Sequence, residues 1–308
     1  MIKNTIDISQ RTSKEYVCSF SRYDSNLNYL AFIQNLPDVL AGKSFKKIVK
    51  EFSKRRKNGK KNIVMLGAHV IKCGLQPYLS KMMECGLIDL LAINGATVIH
   101  DVEFALYGKT SENVSVGLLN KTYAAVNEPL DFINETLHKA PVGSGYGSSI
   151  GEALSKKNPA FAQQSLLRAA YINGVETTVH ISIGTDINQL HKSFDCAKSA
   201  TLSYRDFEIF TSHVQQLDGG MIFNCGSAVM LPEIFLKALT IVTNNDYSVQ
   251  NFMGVNLDFN IQYRGNSQIV EKAELLGGQG YNLIGHHEIQ IPLLFGALIQ
   301  TVECDNNG

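Results

Sequence analysis

Five of the eight histidines, His69, His100, His191, His286 and His287, lie in short polar stretches that each follow an apolar run. Gly67 to Gly74, Asn94 to Asp101, Gly184 to His191 and Gly285 to Glu288 also carry Asp101, Asp186 and Glu288, and a fifth such stretch runs from Asn224 to Ser227. Neutral imidazoles beside carboxylates suit two chemistries. They can ligate zinc or a similar ion, or they can hydrogen-bond a nucleotide or polar substrate and exchange protons near neutral pH. No HExxH or comparable local spacing accompanies the first, and no residue is assigned as a metal ligand. Any one of these histidines could simply satisfy a loop carbonyl; their clustering is what points to a shared site. Cys73 and Cys225 sit in the same stretches, as nucleophiles if a neighbouring histidine lowers their pKa or as inert buried thiols if none does. Lys72 is a candidate of another kind, because a lysine nucleophile must be partly desolvated.

These residues need a scaffold that delivers loops to one place. Ile63 to Leu66 is a short apolar run that stops at Gly67, as a buried parallel strand does before a loop. Leu75, Leu79, Met82 and Met83 recur at helical spacing, Gly86 closes that segment, and Leu87 to Ile93 forms a second run ending at Asn94-Gly95. Further strands are expected over Thr177 to Ile183, Met221 to Phe223, within Val249 to Leu257 and over Tyr281 to Ile284. Helices are expected around Leu27 to Leu36, over Phe161 to Ala170, around Phe207 to Val214, over Leu231 to Val242 and over Ile291 to Val302. Lys109 to Leu137 reads as helical, with a break near Asn127-Glu128-Pro129. Alternating strands and helices imply a mostly parallel sheet, whose carboxyl ends and following loops share one edge. His69, Lys72, Asn94, His100 and Asp101 are expected to gather there.

Composition excludes several classes. The chain of 308 residues is 44% hydrophobic and 18% charged with zero formal net charge, an ordinary globular balance with no electrostatic reason for nucleic acid or an anionic membrane as partner. Six scattered cysteines without a CxxC suggest a reducing, cytoplasmic setting. Neither a signal-peptide core nor an uninterrupted apolar run near the ~20 residues of a membrane span is present. One domain covering 1–308 is expected, with 1–60 a polar and basic helical extension whose first 25 residues lie on the surface or a neighbouring subunit. Between Lys43 and Lys61 ten basic residues face one acid, Glu51, which reads as a solvated helix face or as a patch for an acidic partner. PVGSGYGSSIGEAL could cradle a phosphate at a helix start, although no apolar strand precedes it.

The order of these segments resembles deoxyhypusine synthase from about Lys60 to Val302. NIVML with GAHVIKCG looks like that family's strand and SNLISSG-type nucleotide loop, and LLAINGATVIHD looks like its TTAGGVEED segment. HISIGTD is similar to its strand ending in LTDG, GGMIFNCGSAV to GMIILGGGVV, and GHHEIQIPLL to ADASLVFPLL. The resemblance implies a Rossmann-like parallel sheet flanked by helices, a homotetramer, NAD at subunit interfaces and aminobutyl transfer from the polyamine spermidine through a lysine imine. It places His69, Lys72, Asn94, Gly95, His100, Asp186, Gly226, Ser227 and His286 where that family contacts NAD, with Asp101 beside them. The chain has no tryptophan, so the family's Trp-Gly-Lys stretch has no close copy and Lys272 in IVEKAE is the nearest lysine. The family's acidic spermidine contacts are mostly absent, with His191 near one of them, and an acidic slot is what a polycation needs.

The function expected is therefore a cytoplasmic, homo-oligomeric, NAD-binding transferase or oxidoreductase acting on an amine or small polar substrate rather than making deoxyhypusine. Lys272, His191 and His286 are its catalytic candidates. The alternatives are a metal-dependent hydrolase using His69, His100, His191 and His286 or His287, and a non-catalytic nucleotide-binding protein.

Overall fold

The computed structural model describes residues 5–17 and 24–306; Cys18 and part of the amino-terminal stretch lie outside them. Six strands form one parallel sheet: β1 (Asn62–Leu66), β2 (Leu90–Asn94), β3 (Glu176–His180), β4 (Met221–Cys225), β5 (Met253–Asp258) and β6 (Gln279–Ile284). Their spatial order is β3-β2-β1-β4-β5-β6, and every neighbouring pair is parallel. The chain winds outward from β1 to β3, crosses back, and winds outward again from β4 to β6. Connections therefore leave β1 and β4 in opposite directions, which opens a crevice at their carboxyl ends, where open α/β sheets take ligands.

Helices cover both faces. They are α1 (Tyr29–Gln34), α2 (Leu40–Lys57), α3 (Ala68–Lys72), α4 (Gln76–Glu84), α5 (Gly95–Tyr107), α6 (Val114–Leu119) and α7 (Glu128–Lys139). They continue with α8 (Tyr146–Lys157), α9 (Leu166–Ile172), α10 (Cys196–Gln215), α11 (Met230–Asn244), α12 (Glu271–Leu275) and α13 (His287–Asn306). Val64 and Leu66 point into one apolar layer, which includes Phe52, Leu79 and Phe295; Ile63 and Met65 point into the other, with Phe210 and Phe235. Burial on both faces is why β1 reads as a continuous apolar run rather than an alternating one.

One expectation about the chain outside the sheet is corrected. Lys109–Glu112 is not helical but pairs antiparallel with Ser13–Tyr16 in a two-stranded ribbon. The pairing holds the amino-terminal segment against the body of the protein, with Ile8, Arg11 and Ser13 buried while Asp7, Ser9, Gln10, Thr12 and Lys14 stay exposed. The basic helix α2 buries Ile48, Val49 and Phe52, and its cations tie down amino-edge loops. Arg55 Nη1 donates to the carbonyls of Gly219 and Asn251, both at 2.7 Å, while Arg56 lies 3.5 Å from Asp89, which Lys61, just past the helix, approaches to 3.1 Å.

Candidate active site at the carboxyl edge of the sheet

Asn94 ends β2 and starts α5 in the same residue. Its Oδ1 accepts the Thr97 N–H at 2.9 Å and the Thr97 hydroxyl at 2.7 Å, an N-cap that lets the helix begin directly at the strand end. The expected polar loop from Asn94 to Asp101 is therefore helix, and successive residues turn about 100° around it. His100 and Asp101 consequently face different ways. His100 lines a cavity of about 330 Å³ together with Arg11, Lys72, Glu103, Glu112 and Asp186. Asp101 is fully buried on another side, where it accepts the Ser165 hydroxyl at 2.6 Å and the amides of Leu166 and Leu167 at 2.7 and 3.2 Å. It anchors the start of α9 and does not reach the cavity, which corrects its expected place among the cofactor contacts. Burial raises its carboxyl to about 6 even so.

Gly95 allows Asp186 into the site. A Cβ at Gly95 would lie 2.1 Å from Asp186 Oδ2, so only glycine lets that carboxylate close against the first turn of α5. Asp186 is 7% exposed and burial pushes its carboxyl up to about 6; Gln189 Nε2 donates to it at 3.2 Å. Such a group exchanges its proton within the physiological range.

A buried network faces Asp186 across the cavity. Arg11 Nη1 lies 2.5 Å from Glu103 Oε1, the two side chains being 5% and 2% exposed. The Thr110 hydroxyl donates to Glu103 Oε2 and sits 2.7 Å from His100 Nδ1. With its only hydrogen committed to the carboxylate, Thr110 can only accept from His100. Nδ1 therefore carries the imidazole hydrogen and Nε2 keeps its lone pair. Burial drives the His100 pKa down to about 4, so the ring is neutral near pH 7. Arg11 Nε and Nη2 are buried without a hydrogen-bond partner among the described residues. Ser111, also lining the cavity, holds a left-handed φ of 60°, a conformation that stores strain in a residue other than glycine.

The other expected site residues are scattered. His191 is 3% exposed and its Nε2 donates to the Ala124 carbonyl at 3.0 Å, a structural contact. Lys272 is on α12, whose Ala273 packs against Gly254 near the amino end of β5; a Cβ built there would lie 3.1 Å from the Ala273 methyl. That position is toward the edge opposite the crevice. Ser227 is buried and its hydroxyl takes the Leu231 N–H at 3.2 Å, at the start of α11. Gly226, at φ 69°, lies under the His287 ring. His69 and His286 are exposed at the crevice mouth, with His69 3.4 Å from Cys73 Sγ and His286 3.8 Å from Glu288. Cys225 is fully buried and its thiol pKa is raised by that burial, so it is no nucleophile. Of the expected set, Lys72, His100 and Asp186 share one cavity, whereas His69, His100, His191 and His286 do not converge on a point. Arg11 and Glu112 were not legible as site residues, because ribbon pairing across more than ninety residues brings them to Glu103 and His100 on α5.

The glycine-rich stretch before α8 already holds an anion from its own chain. Asp206 Oδ2 accepts the amides of Gly147 at 3.0 Å and Val179 at 2.7 Å, joining the start of α8 to β3.

Residues 46–144 match a family model described as arginine dihydrolase ArgZ-like, C-terminal, Rossmann fold. Two curated relatives are ornithine cyclodeaminases. The one from Methanothermobacter thermautotrophicus is 34% identical over 24% of this chain and 18% of its own length. The one from Methanopyrus kandleri is 36% identical over 27% of this chain and 21% of its own. The matched segment thus spans about a fifth of those relatives. Among solved structures, AgrE with ornithine and NAD+ superposes with a TM-score of 0.53 at 14% identity, over 93% of this chain and 35% of that one. A putative deoxyhypusine synthase from Entamoeba histolytica gives 0.56 at 9% identity, over 90% of this chain and 95% of that one. Both likenesses are of fold, and they establish the Rossmann-like α/β architecture expected from sequence. A local sequence likeness lies with the ArgZ-like Rossmann domain, over residues 46–144.

Proposed function

We propose that the protein is an NAD-binding enzyme acting on a small amine-bearing amino acid, held in the cavity between Arg11 and Asp186. One observation carries the reading: Arg11, two of whose guanidinium nitrogens have no partner among the described residues, and Asp186, a carboxyl raised to about 6, line the same 330 Å³ space. Arg11 would take a carboxylate and Asp186, once ionised, an ammonium group, while the size suits a molecule of few heavy atoms. The relatives named for arginine and ornithine chemistry support this substrate class.

The residues present fit NAD in kind. Lys72, at the end of the first β–α connection, supplies positive charge, and the crevice between β1 and β4 is the expected location of a dinucleotide. The connection reads GAHVIKCG and lacks a G-x-G-x-x-G turn, so Asn94, Gly95, Gly226 and side chains such as Lys72 and His286 would hold the cofactor more than bare amides. NAD supplies a hydride acceptor when bound. His100, which lines the cavity, would accept a hydrogen bond from a substrate amine at Nε2, whose lone pair is free of the Thr110 bond. A homo-oligomer remains our expectation, and light scattering after gel filtration tests it.

Titration calorimetry with NAD, then ornithine or arginine in its presence, tests the reading. We expect Asp186→Asn to weaken amino-acid binding more than about tenfold, the effect of losing a charge-assisted bond worth ~1.5–3 kcal/mol, while NAD still binds. Unchanged amino-acid affinity in that variant would overturn the site. Binding of both without turnover would leave a nucleotide-binding protein without the chemistry.

A further inference from the structure

Outside the cavity, a second group of side chains converges at the crevice mouth. His69 on α3 and Cys73 just after it are four residues apart and so share a helical face. Helix α13 leaves β6 and returns over β4, where the Phe295 and Phe223 rings meet at 5.9 Å, and its first turn thereby reaches α3. Glu288 in that turn places Oε2 3.8 Å from Cys73 Sγ, while His69 Nε2 lies 3.4 Å from the same sulfur. All three ligand atoms lie within 4.8 Å of one another.

We propose that His69, Cys73 and Glu288 bind one divalent ion of the zinc class, leaving a fourth position open to water or a ligand oxygen. The two donor pairs that share the Cys73 sulfur have the spacing that metal coordination requires. With metal–sulfur near 2.3 Å and metal–nitrogen or –oxygen near 2.1 Å, tetrahedral angles put neighbouring donors about 3.6 Å apart. The observed 3.4 and 3.8 Å straddle that value. One imidazole, one thiolate and one carboxylate also make a donor set of borderline softness, which selects zinc over magnesium or calcium. Three protein ligands with exposed His69 and Glu288 are the pattern of an open site, not of a closed structural one. His287 closes the inner side: its ring is 5.9 Å from that of His69, and its buried Nδ1 has no partner among the described residues. The four-histidine constellation read from sequence is a different set, and only His69 belongs to both.

Cobalt(II) titrated into the chelator-treated full-length chain tests the site, because a cobalt–thiolate bond has an intense near-ultraviolet charge-transfer band. The expected result is saturation at one equivalent with that band present. Cys73→Ser should abolish the band, and Cys196→Ser, at an exposed cysteine on α10, should leave it intact. Glu288→Gln alters an exposed side chain, so folding is preserved, and it should weaken binding by roughly tenfold or more. A wild-type titration without a thiolate band overturns the proposal. So does a band that survives Cys73→Ser, or an affinity unchanged in both Glu288→Gln and His69→Ala.

Discussion

Asp186 has the same carboxyl chemistry as any surface aspartate, and its surroundings alone make it a group that titrates near pH 6. Gly95 admits it against the first turn of α5, and burial then disfavours its ionised form. The stability consequence has a definite sign. A folded-state pKa of about 6, above the unfolded value of 3.8, means that the protonated group contributes stability fully below about pH 4. That contribution is lost as pH rises through 6. Asp186→Asn removes the titration, so the variant should be more stable than wild type at pH 8, by up to about 3 kcal/mol for a shift of some two units. Chemical denaturation at pH 4 and pH 8 checks this: the two proteins should converge at the lower pH and separate at the higher. The same ionisation sets when the carboxylate can hold an ammonium group, so the aspartate would favour ligand at the pH where it weakens the fold. Such a conflict is expected of a binding residue and not of a structural one.

At the scale of elements, two helix starts show how this chain uses carboxylates and amides to fix helices onto strand ends. Asn94 caps α5 from the end of β2, and Asp206, reaching from α10, holds α8 to β3. Burial raises the Asp206 carboxyl to about 7. Both amides it accepts use Oδ2, and Oδ1 has no partner among the described residues. An asparagine with its carbonyl at Oδ2 keeps both bonds, whereas alanine leaves two buried amides unsatisfied at about 1–3 kcal/mol each. Asp206→Ala should therefore lower stability by roughly 2–6 kcal/mol and speed amide exchange at Gly147 and Val179. Asp206→Asn should match wild type at acid pH and exceed it above pH 7, since the native carboxyl loses its stabilising proton there. Equal destabilisation by both substitutions would mean that the carboxyl proton, and not the paired acceptor, holds these elements together.

On the scale of the whole molecule, what was legible followed from burial on two faces. NIVML, LLAIN and MIFNC are apolar for nearly their whole length because helices cover both sides of a parallel sheet, so the strand ends and the edge that carries the ligands could be placed from sequence. The ribbon could not be placed, because SKEY and KTSE carry no apolar pattern and pair across the length of several helices. Arg11 and Glu112 were lost with it, and so was half of the cavity. His100 and Asp101 looked like one constellation only while the residues after β2 were read as a loop. A cavity built jointly from strand ends and a distant ribbon should couple ligand binding to global stability. Ligand at a hundred times its dissociation constant adds about 2.7 kcal/mol to the unfolding free energy, enough to raise the melting temperature by several degrees. Wild-type protein should show this shift with NAD, and a further one when ornithine is added. Asp186→Asn should keep the first and lose most of the second. Slower amide exchange in Ser13–Tyr16 and Lys109–Glu112 should accompany the second shift, since Arg11 and Glu112 bring the ribbon to the ligand.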